Sequence, residues 1–534
     1  MIAQPSRRTY AITLFLLLLI CYGYFLPKWA DWGANSRADM VYAFGDKGML
    51  KIDDYHGNTG DLACFPGPFY PDATNVLGGN CTGNYYSDKS PGPSLLALPF
   101  YMVFKSIAAL PPIQNFINSS KGIGSMADTL NPDGKGIRPD AVYQYMALAF
   151  MTFFASAIPS AFLGILVFLM AARFARKDSY AFLLALAFGL ATMAFPYSNA
   201  LYQHQLAGLG AFAGFYLLWR VIYEKANLRW LWAVGVLFSL AAITEYPIVP
   251  GLAIIFLWAF WRMPNRTALY RVILGALPLM LVFAAFNYAA FNTIIPLGYK
   301  YSTNWQTEHE TGFLSLQLPS LDNLVRIYGL TFSPIRGIFF TSPFLLLAIW
   351  GLYLMWTELK DRRGAIITIV LFVAYFFFYN SSSVMWWGGF TIGPRYLIPM
   401  LPFFVLPIIF AFNRLLDKRW GQILVGVLIV VSAFSVWAMN IAGQQWPDVP
   451  VSPTTTATMT NTSTLFDYSL PLLAQGKVAR NYAMIAGLPG FASLIPLLLA
   501  FLAIYLIVPR LLSRREAQHQ LHTQSLKNAI GGTD

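Results

Sequence analysis

Twelve apolar runs, most of them close to twenty residues long, leave this chain few ways to fold. A helix that crosses bilayer hydrocarbon needs about 20 mostly apolar residues. Such runs lie near 10–27, 141–172, 180–198, 204–223, 229–247, 249–262, 269–292, 338–357, 364–381, 396–413, 421–441 and 489–509 of the 534 residues. Only 11% of the residues are charged, where a soluble protein carries about 25%. The expected fold is therefore an all-α integral membrane protein with about 12 transmembrane helices, since helices satisfy their own backbone polar groups in lipid. The net charge of +12 does not mark a nucleic-acid binder, because the basic residues sit in short clusters between apolar runs.

Those clusters orient the chain. With the N-terminus in the cytoplasm, most of the 36 basic residues fall in inner segments, such as Arg173, Arg176 and Lys177, while most of the 24 acidic residues fall outside. No small-residue cleavage site follows the first run, so it is expected to remain as the first span. The stretch 93–110 is short, holds Pro99 and Lys105 and ends at Pro111-Pro112, which predicts an interfacial helix. If it spanned instead, the cluster at 173–177 would face outward. The resulting layout is a first transmembrane helix at 1–27, an extracytoplasmic loop with interfacial helices at 28–140, and a bundle at 141–292. An outer loop at 293–337 follows, then a bundle at 338–441 with an outer loop at 382–395, an outer loop at 442–488, a last helix at 489–509 and a cytoplasmic tail at 510–534. Within the first loop short helices and turns are expected, with turns at Gly78-Gly79 and Asn131-Pro132-Asp133-Gly134. The Thr-rich stretch 451–464 reads as a connector.

The loop 28–140 holds the chemistry-bearing residues. YYSDKSPGPS (85–94) sets Asp88-Lys89 directly before the interfacial helix. A lysine there suits a lipid phosphate, and anchoring at headgroups explains it equally well. MWWGGFTIGPRYLIPMLPF (385–403) carries Arg395 where an outer loop turns into a span. Its guanidinium fork suits phosphate, and Gly388, Gly389 and Gly393 allow close backbone approach; the plainer reading is an arginine snorkelling at the interface. Arg37 and Asp39 lie a dozen residues past the first run, with Asp53 and Asp61 later in the same loop. A general base needs a carboxylate within reach of the hydroxyl it deprotonates, and most loop carboxylates are ordinary solvated charges. His204 and Glu245 fall on the same outer side; Glu245 near the hydrocarbon edge needs a partner, which could be structural. Cys64 and Cys81 share the outer loop, where a disulfide would clamp the intervening segment; two unpaired thiols are the alternative. No zinc, nucleotide or nucleophile-elbow motif is present, so no nucleotide is expected to bind.

These strings and the long acidic first loop resemble the GT-C superfamily of polytopic membrane glycosyltransferases, in particular bacterial members related to protein O-mannosyltransferases and the lipid A aminoarabinose transferase. Tyr86-Ser87-Asp88-Lys89-Ser90-Pro91 is similar to the aromatic-x-acid-Lys-Pro element of the aminoarabinose transferase group, and GGFTIGPRYLIPMLPF to a string late in related bacterial sequences. The resemblance implies an inverting glycosyltransferase in the inner (plasma) membrane of a bacterium, with both termini cytoplasmic and the active site outside. The donor would be a sugar on a polyprenyl phosphate, and the acceptor a hydroxyl of a lipid, glycan or protein. Lys89 would hold the donor phosphate, helped by Arg395 and Arg37. Asp39 stands first as base, then Asp61 and Asp53, with Tyr86, Asp88, His204 and Glu245 lining the substrate vestibule. The family's acid often directly follows the first span, where this chain has Asn35-Ser36-Arg37. Some relatives bind a divalent metal and others need none, which leaves a metal site open. The rival readings are a twelve-helix secondary transporter, or a carrier of lipid-linked substrates, and a scaffold without chemistry. A transporter predicts related halves and often a long inner loop midway; neither is found. A scaffold leaves the charge density of the first loop without a purpose.

Overall fold

The first apolar run forms α1 (Arg7–Tyr24), begun by Ser6, whose hydroxyl accepts the Thr9 amide at 3.1 Å. The computed structural model describes residues 5–29, 31–65, 81–120, 142–296, 298–304, 321–383, 385–389, 391–443 and 462–530. The expected turns at Gly78-Gly79 and 131–134, and nearly all of the connector 451–464, lie outside the described residues. α1 is a central strut: Leu14, Leu17, Leu18 and Cys21 are fully buried. Gly164 and Gly189 flank it, and a Cβ on either would come within 2.4 Å of a Leu18 methyl.

The chain is mostly helical, with one small two-stranded sheet among the described residues. Among the described residues six helices are long and apolar enough to cross a membrane: Val142–Ala171, His204–Tyr223, Arg266–Phe291, Lys360–Ser382, Arg419–Ile441 and Gly490–Glu516. Two bent pairs raise this to eight, 92–108 with 111–119 at 92° and 395–405 with 408–415 at 51°. Twelve full-length spans, the expected number, are not found among the described residues. The difference has a local cause: prolines cut several apolar runs. Pro247 and Pro250 open Tyr246–Arg262, Pro343 opens Pro343–Glu358, and Pro407 stands at the break before Ile408. Asp178–Leu190 and Trp230–Thr244 are also short apolar helices. The stretch expected to be interfacial is α3 (Gly92–Ala108), which turns sharply at Pro111. Several helices could thus span a membrane, and they expose apolar rows that water would not favour, such as Ile273, Leu277 and Leu281, or Ile495, Leu498 and Leu502.

Helices here approach through glycine. A Cβ on Gly235 would lie 2.1 Å from the Val272 carbonyl oxygen, and one on Gly275 would lie 2.4 Å from that of Trp232. Backbone therefore meets backbone between Trp230–Thr244 and Tyr270–Phe291, as small residues permit in membrane helix pairs. Gly235→Val should force these helices apart and cost about 1–3 kcal/mol. A lower midpoint of thermal unfolding in detergent, beside an unchanged Gly426→Val control whose site is open, would register it.

The first loop differs from expectation in a second way. After α2 (Trp32–Lys47), capped by Asp31 and closed by Gly48 at φ 66°, it contains an antiparallel pair, β1 (Leu62–Phe65) and β2 (Asn84–Ser87). Four-residue strands are too short to show an alternating pattern. Their pairing is tied by a Cys64–Cys81 disulfide, with Cα atoms 5.7 Å apart. Thr303 donates its amide to Leu62 at 2.8 Å, so the segment after Tyr270–Phe291 docks on this sheet.

Candidate active site

Strand register builds the first half of the site. Leu62 faces Ser87, so one step further along the same antiparallel register brings Asp61 opposite Asp88. Lys89 reaches back between them, its ammonium 3.1 Å from a carboxylate oxygen of each. Ser36 on α2 pins this end of the hairpin, donating to the Asp61 carbonyl at 2.6 Å and sharing a hydrogen bond with the Ser87 hydroxyl at 2.7 Å. Asp88 is further held by the Ser302 hydroxyl at 3.0 Å. Tyr299 turns its ring toward the Lys89 ammonium, 5.7 Å from ring centre. Burial works against the Lys89 ammonium, but the charges of Asp61 and Asp88 outweigh it and raise the group above the usual lysine range. Burial also raises the Asp88 carboxyl, with Lys89 opposing and Asp61 adding. Burial pushes the Tyr299 hydroxyl up to about 12, with Lys89 opposing the rise.

Arginines form the second half. Arg37, next to Ser36 on α2, is buried and donates to the Gly33 carbonyl and the Gln203 side chain. Gly33 must be glycine here, since a Cβ would lie 2.7 Å from the Tyr202 ring. That ring is fixed by its hydroxyl, which donates to Asp31 at 2.7 Å. Arg37 lies on it at 5.7 Å and Arg395 at 5.2 Å, so one tyrosine receives two guanidinium groups. Arg395 also rests on Tyr396 at 5.0 Å and donates to its hydroxyl at 3.3 Å. Burial lowers the Arg37 guanidinium; Tyr299, Tyr202 and Asp61 oppose this, and Arg395 adds to it. Neither arginine forms an ion pair among the described residues, and the Nε–H of each is buried without a hydrogen-bond partner.

The loop that presents Arg395 adopts positive φ at Gly388 (78°), Gly389 (76°) and Gly393 (59°), where L side chains are strained. A Cβ on Gly393 would also lie 2.3 Å from the Met193 sulfur. The fully buried Arg336 clamps this loop. It donates to the carbonyls of Trp387 and Gly389 at 2.5 and 2.7 Å, and to its own neighbour Ile335 at 3.3 Å. Arg336 carries little signal in the sequence, where it is a lone arginine in SPIRGIFF.

Against Tyr202 and Tyr396, the rings that hold Arg395, lies a buried dyad. His204, the first residue of its helix, sets Nδ1 3.0 Å from the carboxylate of Glu245, which follows Trp230–Thr244. Among the described residues Nε2 of the histidine and the second Glu245 oxygen have no hydrogen-bond partner. The His204 ring meets Tyr396, Tyr202 and Tyr197, and the charges of Arg395 and Arg37 reach it.

Not every candidate joins this group. Asp39 follows Arg37 by two positions, roughly 200° around the helix, and faces the other way. It accepts one hydrogen bond, from the Asn58 amide at 3.0 Å. Asp53 accepts the Tyr85 amide at 2.7 Å and pairs with Lys51 at 3.4 Å, which holds β2 in place. Tyr86 packs its buried ring against Phe291 at 5.5 Å. Among the described residues no three His, Cys, Asp or Glu side chains gather to hold a metal ion.

Burial raises the Asp39 carboxyl well above the ordinary range, against the Asn58 hydrogen bond. The folded chain therefore holds this proton more tightly than the unfolded one. The resulting stability is fully present below the unfolded value, about 3.9, and is lost as pH rises toward the folded value. Asp39→Asn should flatten that decline, most visibly in melting temperatures compared at pH 5 and 8. A variant whose melting temperature falls between pH 5 and 8 as steeply as that of wild type would contradict it.

No protein-family model matches the chain. No curated protein matches it. The functional reading therefore rests on the short strings and on the geometry described above.

Proposed function

We propose that this protein is an inverting glycosyltransferase that moves one sugar from a polyprenyl-phosphate donor to a hydroxyl of a lipid, glycan or protein. The acceptor oxygen forms a bond to the anomeric carbon, the bond from that carbon to the phosphate oxygen breaks, and the polyprenyl phosphate leaves with the electron pair. The acceptor's proton goes to a base. The protein works in a bacterial plasma membrane, with the site on the extracytoplasmic side and the lipid tail lying among the apolar helices.

One observation supports this reading above the rest. Among the described residues Arg37 and Arg395 share a tyrosine, form no ion pair and keep Nε–H groups without a hydrogen-bond partner. Buried polar groups are nearly always hydrogen-bonded, and two neighbouring guanidinium groups with no ion pair among the described residues call for an anion. Phosphate suits the fork, and Lys89 supplies a third cation within electrostatic reach of Arg37. The aromatic rings of Tyr202, Tyr299 and Tyr396 offer apolar faces for a sugar. Asp61, of the three carboxylates considered as base, is the one in contact with Lys89.

The test is transfer or slow hydrolysis of labelled sugar from a panel of polyprenyl-phosphate sugars by purified protein in lipid nanodiscs. Consumption of one donor with release of polyprenyl phosphate supports the reading. Movement of an intact donor across the bilayer of proteoliposomes, with no sugar released, would replace it with a carrier.

A further inference from the structure

The proposed reaction needs a proton acceptor, and the loop carboxylates are poorly placed to supply it. Asp61 and Asp88 share the Lys89 ammonium, Asp88 also accepts from Ser302, and Asp53 is bound to a backbone amide and Lys51. Asp39 faces away from the cations and is favoured in its protonated form. Each is engaged in holding the fold, or is on the wrong face of α2.

His204 is different. Its Nδ1 is held by Glu245 at 3.0 Å, and its Nε2 is buried with no hydrogen-bond partner among the described residues. A carboxylate at one ring nitrogen fixes the tautomer with the proton on that side, which leaves the other nitrogen as an acceptor. This is the arrangement by which a carboxylate orients an imidazole for proton abstraction. The ring packs against Tyr202, the same ring on which Arg37 and Arg395 rest, and the charges of both arginines reach it, so the leaving phosphate would be held nearby. Of the three aromatic rings against it, Tyr396 is the partly exposed one, so an acceptor hydroxyl reaches Nε2 by displacing that ring.

Resting on the glycosyltransferase reading above, we infer that His204, oriented by Glu245, is the general base that takes the proton from the acceptor hydroxyl. The proton moves from the acceptor oxygen to Nε2 as that oxygen bonds to the anomeric carbon. The imidazolium so formed is stabilised by the Glu245 carboxylate. Glu245 is a positioning residue and need not touch substrate.

The experiment compares wild type, His204→Gln and Glu245→Gln with the donor that wild type consumes, using first the hydroxyl acceptor and then azide. Azide is already an anion and attacks the anomeric carbon without giving up a proton. General-base catalysis contributes about 10²- to 10⁴-fold. His204→Gln should therefore lose hydroxyl transfer by that order, keep its binding of polyprenyl phosphate, and form glycosyl azide near the wild-type rate. Glu245→Gln should show a smaller loss with the same sparing of azide, which keeps the test decisive if the histidine variant does not fold. Wild-type hydroxyl transfer by His204→Gln would overturn the inference, as would equal losses with hydroxyl and azide, which mark a structural role. If wild type consumes no donor, the glycosyltransferase reading itself falls, and the base with it.

Discussion

Lys89→Met abolishes polyprenyl-phosphate binding and lowers the melting temperature by several degrees. The ammonium lies between Asp61 and Asp88, whose side chains are 10% and 0% exposed. Removing one member of such a buried set leaves charge without a partner, a change that costs about 3–5 kcal/mol. The loss has a pH signature. Without the ammonium, burial and mutual repulsion raise the carboxyls of the pair, so the folded variant takes up protons that wild type does not. Its deficit should be largest at neutral pH and shrink as pH falls toward the raised carboxyl values. Adding Asp61→Asn to Lys89→Met should restore part of the stability and none of the lipid-phosphate binding. Thermal unfolding of the four proteins of this cycle between pH 5 and 8 separates the two effects. Equal melting of wild type and Lys89→Met at pH 7 would remove the buried triad from the account.

Arg336→Met produces the second large effect, at a residue that touches no proposed substrate atom. Its guanidinium is the donor for the Trp387 and Gly389 carbonyls and shows no exposed surface. Methionine fills much of the volume but leaves those acceptors unmet, at about 1–3 kcal/mol for each buried group. The Gly388 and Gly389 backbone, already at positive φ, then loses the clamp that holds it, and Arg395 loses its fixed place over Tyr202. Binding of polyprenyl phosphate should weaken by about tenfold or more, equivalent to about 1.4 kcal/mol. Amide hydrogen exchange should quicken across 385–396. Arg336→Lys should rescue neither, because an ammonium cannot span two carbonyls as a fork does. Normal exchange in the loop together with weakened binding would mean that Arg336 acts by charge and not by clamping.

The apolar runs mapped onto helices in the expected order because local hydrophobicity sets where a helix can lie. Their lengths were less legible, since prolines such as Pro247, Pro343 and Pro407 break helices at points that composition does not weigh. Lys89, Asp88 and Arg395 stood out in the sequence because each sits in a short polar string against apolar flanks. The geometry brings Lys89 to Arg37, and Arg37 to Arg395. Choosing among the carboxylates needed information that spacing does not hold. Asp39 is close to Arg37 in sequence and on the opposite face of the helix, whereas Asp61 reaches Lys89 through the register of two strands too short to announce themselves. The sharing of Tyr202 by Arg37 and Arg395 joins segments more than a hundred residues apart, and the Arg336 clamp joins segments about fifty apart; no local pattern encodes such contacts.

The most direct measurement is equilibrium binding of polyprenyl monophosphate, compared with the uncharged polyprenol of the same length, to wild-type protein in nanodiscs. It needs no knowledge of the sugar or the acceptor. If the paired arginines and Lys89 form a lipid-phosphate site, the phosphate binds saturably and far more tightly than the alcohol, and Lys89→Met removes the difference. Equal binding of the two lipids by wild type would contradict that site and the transfer reaction built on it.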